Sequence, residues 1–136
     1  MSERTTIDVI MVEPMKPPRM VTLSDNLESM QEAVGGWIEE YMPFPDEVAL
    51  ICNEEGKMNG MPLNRAIYGE DGQLLDIIAG PFFIAYAPIE SENFLSLPED
   101  LRDKYMERFK TPELFVRTHN GIKVVPYVPQ KEDFER

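Results

Sequence analysis

Two apolar runs, Val48–Cys52 and Leu74–Tyr86, constrain this chain more than any other feature. Successive side chains of a strand point to opposite faces, so a run that is apolar at nearly every position needs cover on both sides. Val48–Cys52 is therefore expected as the central strand of a sheet. Leu74–Tyr86 is polar only at Asp76 and is broken by Gly80-Pro81, which predicts a long strand with a bend or bulge. Ile51, Ile77, Ile78 and Phe83 are the expected centre of the core. Between the runs, Asn53-Glu-Glu-Gly56 has turn chemistry with Gly56 free to take a positive φ, and Gly69–Gly72 is a second turn. Pro62–Tyr68 reads as one or two helical turns, with Leu63, Ala66 and Ile67 on one face.

The flanking sequence supplies the rest of a single α+β domain over residues 5–129. Ile7–Val12 is a strand covered on both faces, and Pro14, Pro17 and Pro18 end it before an edge strand at Arg19–Leu23. Asp25 with Glu28 has capping-box spacing, opening a short helix that Gly35-Gly36 closes in left-handed geometry. Trp37–Met42 alternates as a half-buried strand. Ser96 with Glu99 marks a second helix, carried by Leu101, Tyr105 and Phe109. Glu113–Thr118 and Ile122–Val128 flank Asn120-Gly121, the signal of a type I′ hairpin. The expected fold is a mostly antiparallel sheet with two helices packed on it and a C-terminal hairpin, with flexible tails at 1–4 and 130–136. A chain of 136 residues can bury such a core without disulfides or metals.

Charge narrows the choice of partner. Twenty-five acidic against 13 basic residues leave a formal charge of -12. Such a field repels nucleic acid and attracts basic protein surfaces, including grooves that hold nucleic acid. The single cysteine, Cys52, excludes an internal disulfide framework, and no apolar run reaches membrane-spanning length, so a cytoplasmic protein with no direct nucleic-acid or membrane partner is expected. Neither a phosphate-binding glycine loop nor a nucleophile elbow is present, and one histidine, His119 beside a turn, is too few for a zinc site. No catalytic residue, metal or cofactor is expected. The adjacent acids Glu39-Glu40, Glu54-Glu55 and Glu70-Asp71 are candidate partner-binding positions, although turn acids are also simply solvated.

Asn53, Asn64 and Arg65 are polar residues at the edges of apolar runs, and a guanidinium held there can fork onto a carboxylate or a phosphate. With Asp76 they form a candidate polar cluster. Its structural version has both asparagines bonding backbone and Arg65 paired with Asp76, Glu54 or Glu55. Its functional version is a small-ligand pocket that Trp37, Tyr41, Phe44 and Tyr86 would line, unless those aromatics are core.

The order of Asn53, Gly56, Gly60, Pro62, Asn64, Arg65, Asp76 and Gly80, preceded by IDVIMVEP and LESMQEAVGGWIE, resembles the DUF3846 family over roughly Ile7–Tyr86. These are small proteins of unknown function met in Firmicutes genomes, phages and integrated mobile elements. The resemblance implies no activity and no catalytic residues. It implies a setting, in which accessory genes often encode inhibitors of host restriction or CRISPR machinery. The expected function is a non-enzymatic acidic inhibitor of a nucleic-acid-handling protein, of the anti-CRISPR or anti-restriction type. The alternative is a small-ligand or nucleotide-binding module using the 53–65 segment.

Overall fold

The structure is a computed structural model and describes residues 5–128. The expected tails at 1–4 and 130–136 lie outside the described residues. Among the described residues nine strands and two helices follow one another as β1 (Thr6–Val12), β2 (Arg19–Ser24), α1 (Leu27–Val34), β3 (Ile38–Tyr41), β4 (Val48–Asn53), β5 (Leu63–Tyr68), β6 (Leu74–Ala79), β7 (Phe82–Tyr86), α2 (Glu99–Arg108), β8 (Glu113–Thr118) and β9 (Gly121–Pro126). The fold is the expected α+β arrangement, with a C-terminal β8–β9 hairpin.

The main sheet is antiparallel, in the order β2-β1-β7-β4-β3. Its interior strands are the apolar ones, and every residue of β4 is buried. Alternation divides them between two cores. Val9, Met11, Ile51, Phe83 and Ala85 face α1, which contributes Met30 and Val34. Ile10, Val12, Leu50, Phe82 and Ile84 face the other way, against Tyr105 and Phe109 of the α2 region and Ile67 and Ile78 of the β5–β6 hairpin. Phe44 joins this second core, its ring centroid 5.1 Å from that of Tyr105.

Several expectations are corrected. Leu74–Tyr86 is not one bent strand: Gly80, at φ 83°, splits it, so that β6 joins a two-stranded sheet with β5 while β7 enters the centre of the main sheet. A side chain at Gly80 would also meet Met61 Sδ, at 2.6 Å from an added Cβ. As a consequence Ile77 is only half-buried, whereas Ile51, Ile78 and Phe83 are buried as expected. Leu63–Tyr68 is strand, not helix. Six residues cannot separate the two periods, and pairing with β6 decides the matter. The cap of α1 is Asn26, whose Oδ1 accepts from Ser29 N at 2.7 Å; Asp25 does not cap it. Gly35 ends the helix at φ 84°, as expected. Pro98, without a side-chain cap, precedes α2, because Ser96 Oγ is engaged by Asp8 N at 2.8 Å. In the β8–β9 turn only Gly121 has positive φ, so the turn is not type I′.

Among the described residues no helix is long and apolar enough to cross a membrane.

Candidate functional site

The four residues of the expected polar cluster do not form one site. β5 skips a residue against β6: Leu63 pairs with Ala79 and Arg65 with the next residue, Ile78, leaving Asn64 as the extra member of a bulge. The bulge turns both polar side chains inward. Asn64 Nδ2 donates to Val12 O and to Gly80 O, each at 2.9 Å, tying the end of β1 to the β6–β7 corner. Asn64 Oδ1 accepts from Arg65 Nη1 at 2.9 Å.

Arg65 is 1% exposed. Its Nη2 donates to Lys16 O at 2.7 Å and Phe109 O at 3.0 Å, its Nε also to Phe109 O, and its Nη1 also to Asn64 O. A guanidinium has five N–H groups, and these bonds engage all of them. The expected carboxylate partner is therefore corrected: four oxygens, three of them backbone carbonyls, surround Arg65, and neither Asp76, Glu54 nor Glu55 is among them. Burial pushes the arginine's ionisation down from its ordinary value, and the carboxylate of Glu113 opposes that shift. Glu113 itself accepts from Ala66 N at 2.8 Å. Nothing in the sequence marked Glu113, which lies far along the chain from Arg65.

Asn53 has a separate task. Its Nδ2 donates to Val34 O at 3.1 Å, satisfying a carbonyl at the end of α1, and its Oδ1 accepts from Glu55 N at 2.7 Å. Both asparagines thus bond backbone, as their structural reading requires.

Asp76 belongs to a cleft of about 260 Å³ bordered by Glu39, Cys52, Glu54, Lys57 and Asp76. Gly56 lies at its edge and does not use its freedom to take a positive φ; what it supplies is room, since an added Cβ would come within 2.6 Å of Ala79 O. Lys57 Nζ meets Asp76 Oδ1 at 2.6 Å. Cys52 Sγ lies at the wall, buried, with Glu39 O at 3.9 Å. Burial first, then the charges of Glu39 and Asp76, push its thiol up to about 11. At neutral pH it is the protonated, weakly nucleophilic form. The Tyr41 hydroxyl is pushed up in the same way, first by burial and then by Asp76. The cleft is an acidic field relieved by one lysine. Lys57 and Cys52 were missed as its members, because only the fold brings β3, β4 and β6 together.

The six partner-binding candidates Glu39, Glu40, Glu54, Glu55, Glu70 and Asp71 are all exposed. Glu39 and Glu54 border the cleft, and Glu55 follows in the same turn. Glu40 points to the other face of β3, beside Met42 and Phe94. Glu70 and Asp71 occupy the β5–β6 turn. Of the aromatics that could have been either pocket lining or core, Phe44 is core and Trp37 is 66% exposed, while Tyr41 and Tyr86 pack at the margin of the second core. Among the described residues no group of three or more His, Cys, Asp or Glu is placed to hold a metal ion.

No curated protein and no solved structure matches this chain. A family model described as a domain of unknown function, DUF3846, matches residues 7–110, which takes in both cores, the Asn64–Arg65 bulge, the acidic cleft and α2 but stops before the β8–β9 hairpin. The chain belongs to the DUF3846 family.

Proposed function

We propose that this protein is a non-enzymatic, cytoplasmic inhibitor of phage or mobile-element origin, which presents carboxylates to the basic groove of a nucleic-acid-handling host protein. The observation that carries this reading is a contrast in saturation. Asn53, Asn64 and Arg65 are internally hydrogen-bonded, whereas Glu39, Glu40, Glu54, Glu55, Glu70 and Asp71 are exposed and make no ion pair among the described residues. Uncompensated surface acids on a chain of charge -12 steer toward basic partners and away from nucleic acid. Glu39 and Glu54 border one cleft, with Glu55 in the same turn, and these three are the first choice for the contact. A pull-down from host lysate at low salt, with the retained nuclease or nucleic-acid-binding protein then challenged by DNA or RNA, tests the reading. Displacement of the inhibitor by nucleic acid is expected. Failure of nucleic acid to compete would end the anti-restriction or anti-CRISPR interpretation.

The acidic cleft, to which the 53–65 segment contributes Asn53, Glu54, Gly56, Lys57 and Met58 but neither Asn64 nor Arg65, supports the alternative, a small-ligand module, and restricts its ligand. Glu39, Glu54 and Asp76 would repel the phosphates of a nucleotide and favour a cation. Titration with spermidine and with ATP separates the cases: amide shifts at Cys52 and Glu54 with spermidine alone would favour the module.

A further inference from the structure

A second concavity lies on a different surface and has the opposite character. It is a groove of about 440 Å³ bordered by Met15 and Pro17 from the β1–β2 connection, Pro112 from the chain leaving α2, and Tyr127 and Val128 beyond β9. Among the described residues its charged members are Lys16 and Lys110. This is a built feature. Arg65 bonds the carbonyl of Lys16 on one wall and that of Phe109, beside Lys110, on the other. Tyr127 N donates to Pro112 O at 2.7 Å, which fixes the third wall to the second. Met15 stands at φ 67°, the one non-glycine residue with positive φ among those described, and its side chain is substantially exposed. Such strained geometry persists only where the surroundings hold it. The family match ends at residue 110, so Pro112, Tyr127 and Val128 complete the groove with residues beyond it.

We propose that this groove binds a free, medium-chain apolar carboxylate, with its hydrocarbon on Met15, Pro17, Pro112, Tyr127 and Val128 and its carboxylate against Lys16 and Lys110. The volume lies in the range of small-ligand sites, which run from roughly 300 to 1,000 Å³ and are mostly apolar with a few polar anchors. The sign follows from charge complementarity: among the described residues lining the groove the charged ones are two lysines, on a chain whose net charge is -12. Lys16 makes no ion pair among the described residues. Lys110 meets Glu107 at 2.6 Å, but both side chains are largely exposed, so the pair is screened and an arriving carboxylate competes for the ammonium.

The test is an amide-shift titration of the full chain with decanoate, and in parallel with decylammonium. Decanoate should give saturable shifts confined to Met15, Lys16, Lys110, Thr111, Tyr127 and Val128, and decylammonium should not. Lys16→Glu with Lys110→Glu should weaken decanoate binding by about tenfold while the rest of the spectrum stays folded. Val128→Glu, at an exposed position, should weaken it as well and guards against a folding defect in the double variant. Equal response to decylammonium, shifts spread through either core, or undiminished binding in both variants would overturn the proposal. So would a wild-type dimer that the double variant abolishes, since a second copy would then cover the groove.

Discussion

Arg65 and Asp76 lie two rungs apart on the paired strands β5 and β6, and they have opposite fates. Arg65 is sealed among carbonyl oxygens that belong to three separate parts of the chain. Asp76 opens onto a cleft, shares one exposed lysine and has unpaired acids for neighbours. In the sequence both were polar residues set against apolar runs, Arg65 at the edge of one and Asp76 inside another. What separates them is saturation: a buried polar group must spend all its hydrogen bonds inside, and a group that has done so has nothing left for a ligand.

The largest predicted effect breaks the saturated side. Arg65→Met removes five donors and leaves the carbonyls of Lys16 and Phe109 without them, so unfolding free energy should fall by about 3–5 kcal/mol. Arg65→Lys should fail in kind, because one ammonium cannot reproduce a planar fork. Denaturant midpoints check both, and a midpoint within error of wild type would mean that these bonds carry no net stability. Asn64→Ala should cost about 1–3 kcal/mol for the orphaned carbonyls of Val12 and Gly80. Ile51→Ala and Ile77→Ala calibrate these losses: fully buried Ile51 should cost about 2–5 kcal/mol and half-buried Ile77 clearly less.

The same pair shows how far the sequence could be read. The apolar runs, the helix stop at Gly35 and a break of some kind at Gly80-Pro81 follow from local chemistry; that the break sends β6 and β7 into different sheets does not, because pairing partners decide it. The partner of Arg65 does not, because its acceptors are carbonyls, which every residue carries and no sequence pattern marks. Pro62–Tyr68 misled for a related reason: Leu63, Ala66 and Ile67 fit a helical face, and only the pairing with β6, around a bulge at Asn64, makes them strand. The acids Glu39, Glu54 and Asp76 were each legible as acids. Their meeting around Cys52 was not, since it depends on strand order.

A smaller effect tests the acidic side through Cys52. Its folded thiol is pushed up to about 11 from the ordinary 9.0, so the folded state holds the proton more tightly than the unfolded state. The stability this contributes is fully present below the unfolded value and is lost as pH rises through the folded one. Stability should therefore decline between about pH 9 and 11, and Cys52→Ser should flatten that decline. At pH 7.5 the native thiol should react with iodoacetamide far more slowly than the unfolded chain. Rapid native alkylation would mean that the cleft does not hold the thiol protonated.

The smallest change in stability should accompany the largest change in binding. Glu54 and Glu55 are exposed and outside every ion pair among the described residues, so Glu54→Lys with Glu55→Lys should alter unfolding free energy by no more than about 0.5 kcal/mol. The pair reversal moves the local charge by four units at the edge of the cleft that Glu39 and Asp76 also border. Coulomb attraction to a basic groove acts before contact, over a screening length of about 8–10 Å, so the loss should appear in the association rate and shrink as salt is raised. Glu70→Lys with Asp71→Lys makes the same change of charge in the β5–β6 turn and is the control for net charge, provided its unfolding midpoint shows that the turn survives loss of the Gln73 N to Asp71 Oδ1 bond. Slower association at low salt for the 54/55 pair than for the 70/71 pair would place the contact at the cleft. Equal slowing would reduce the effect to net charge, and no slowing for either pair would break the link between the unsaturated acids and the partner.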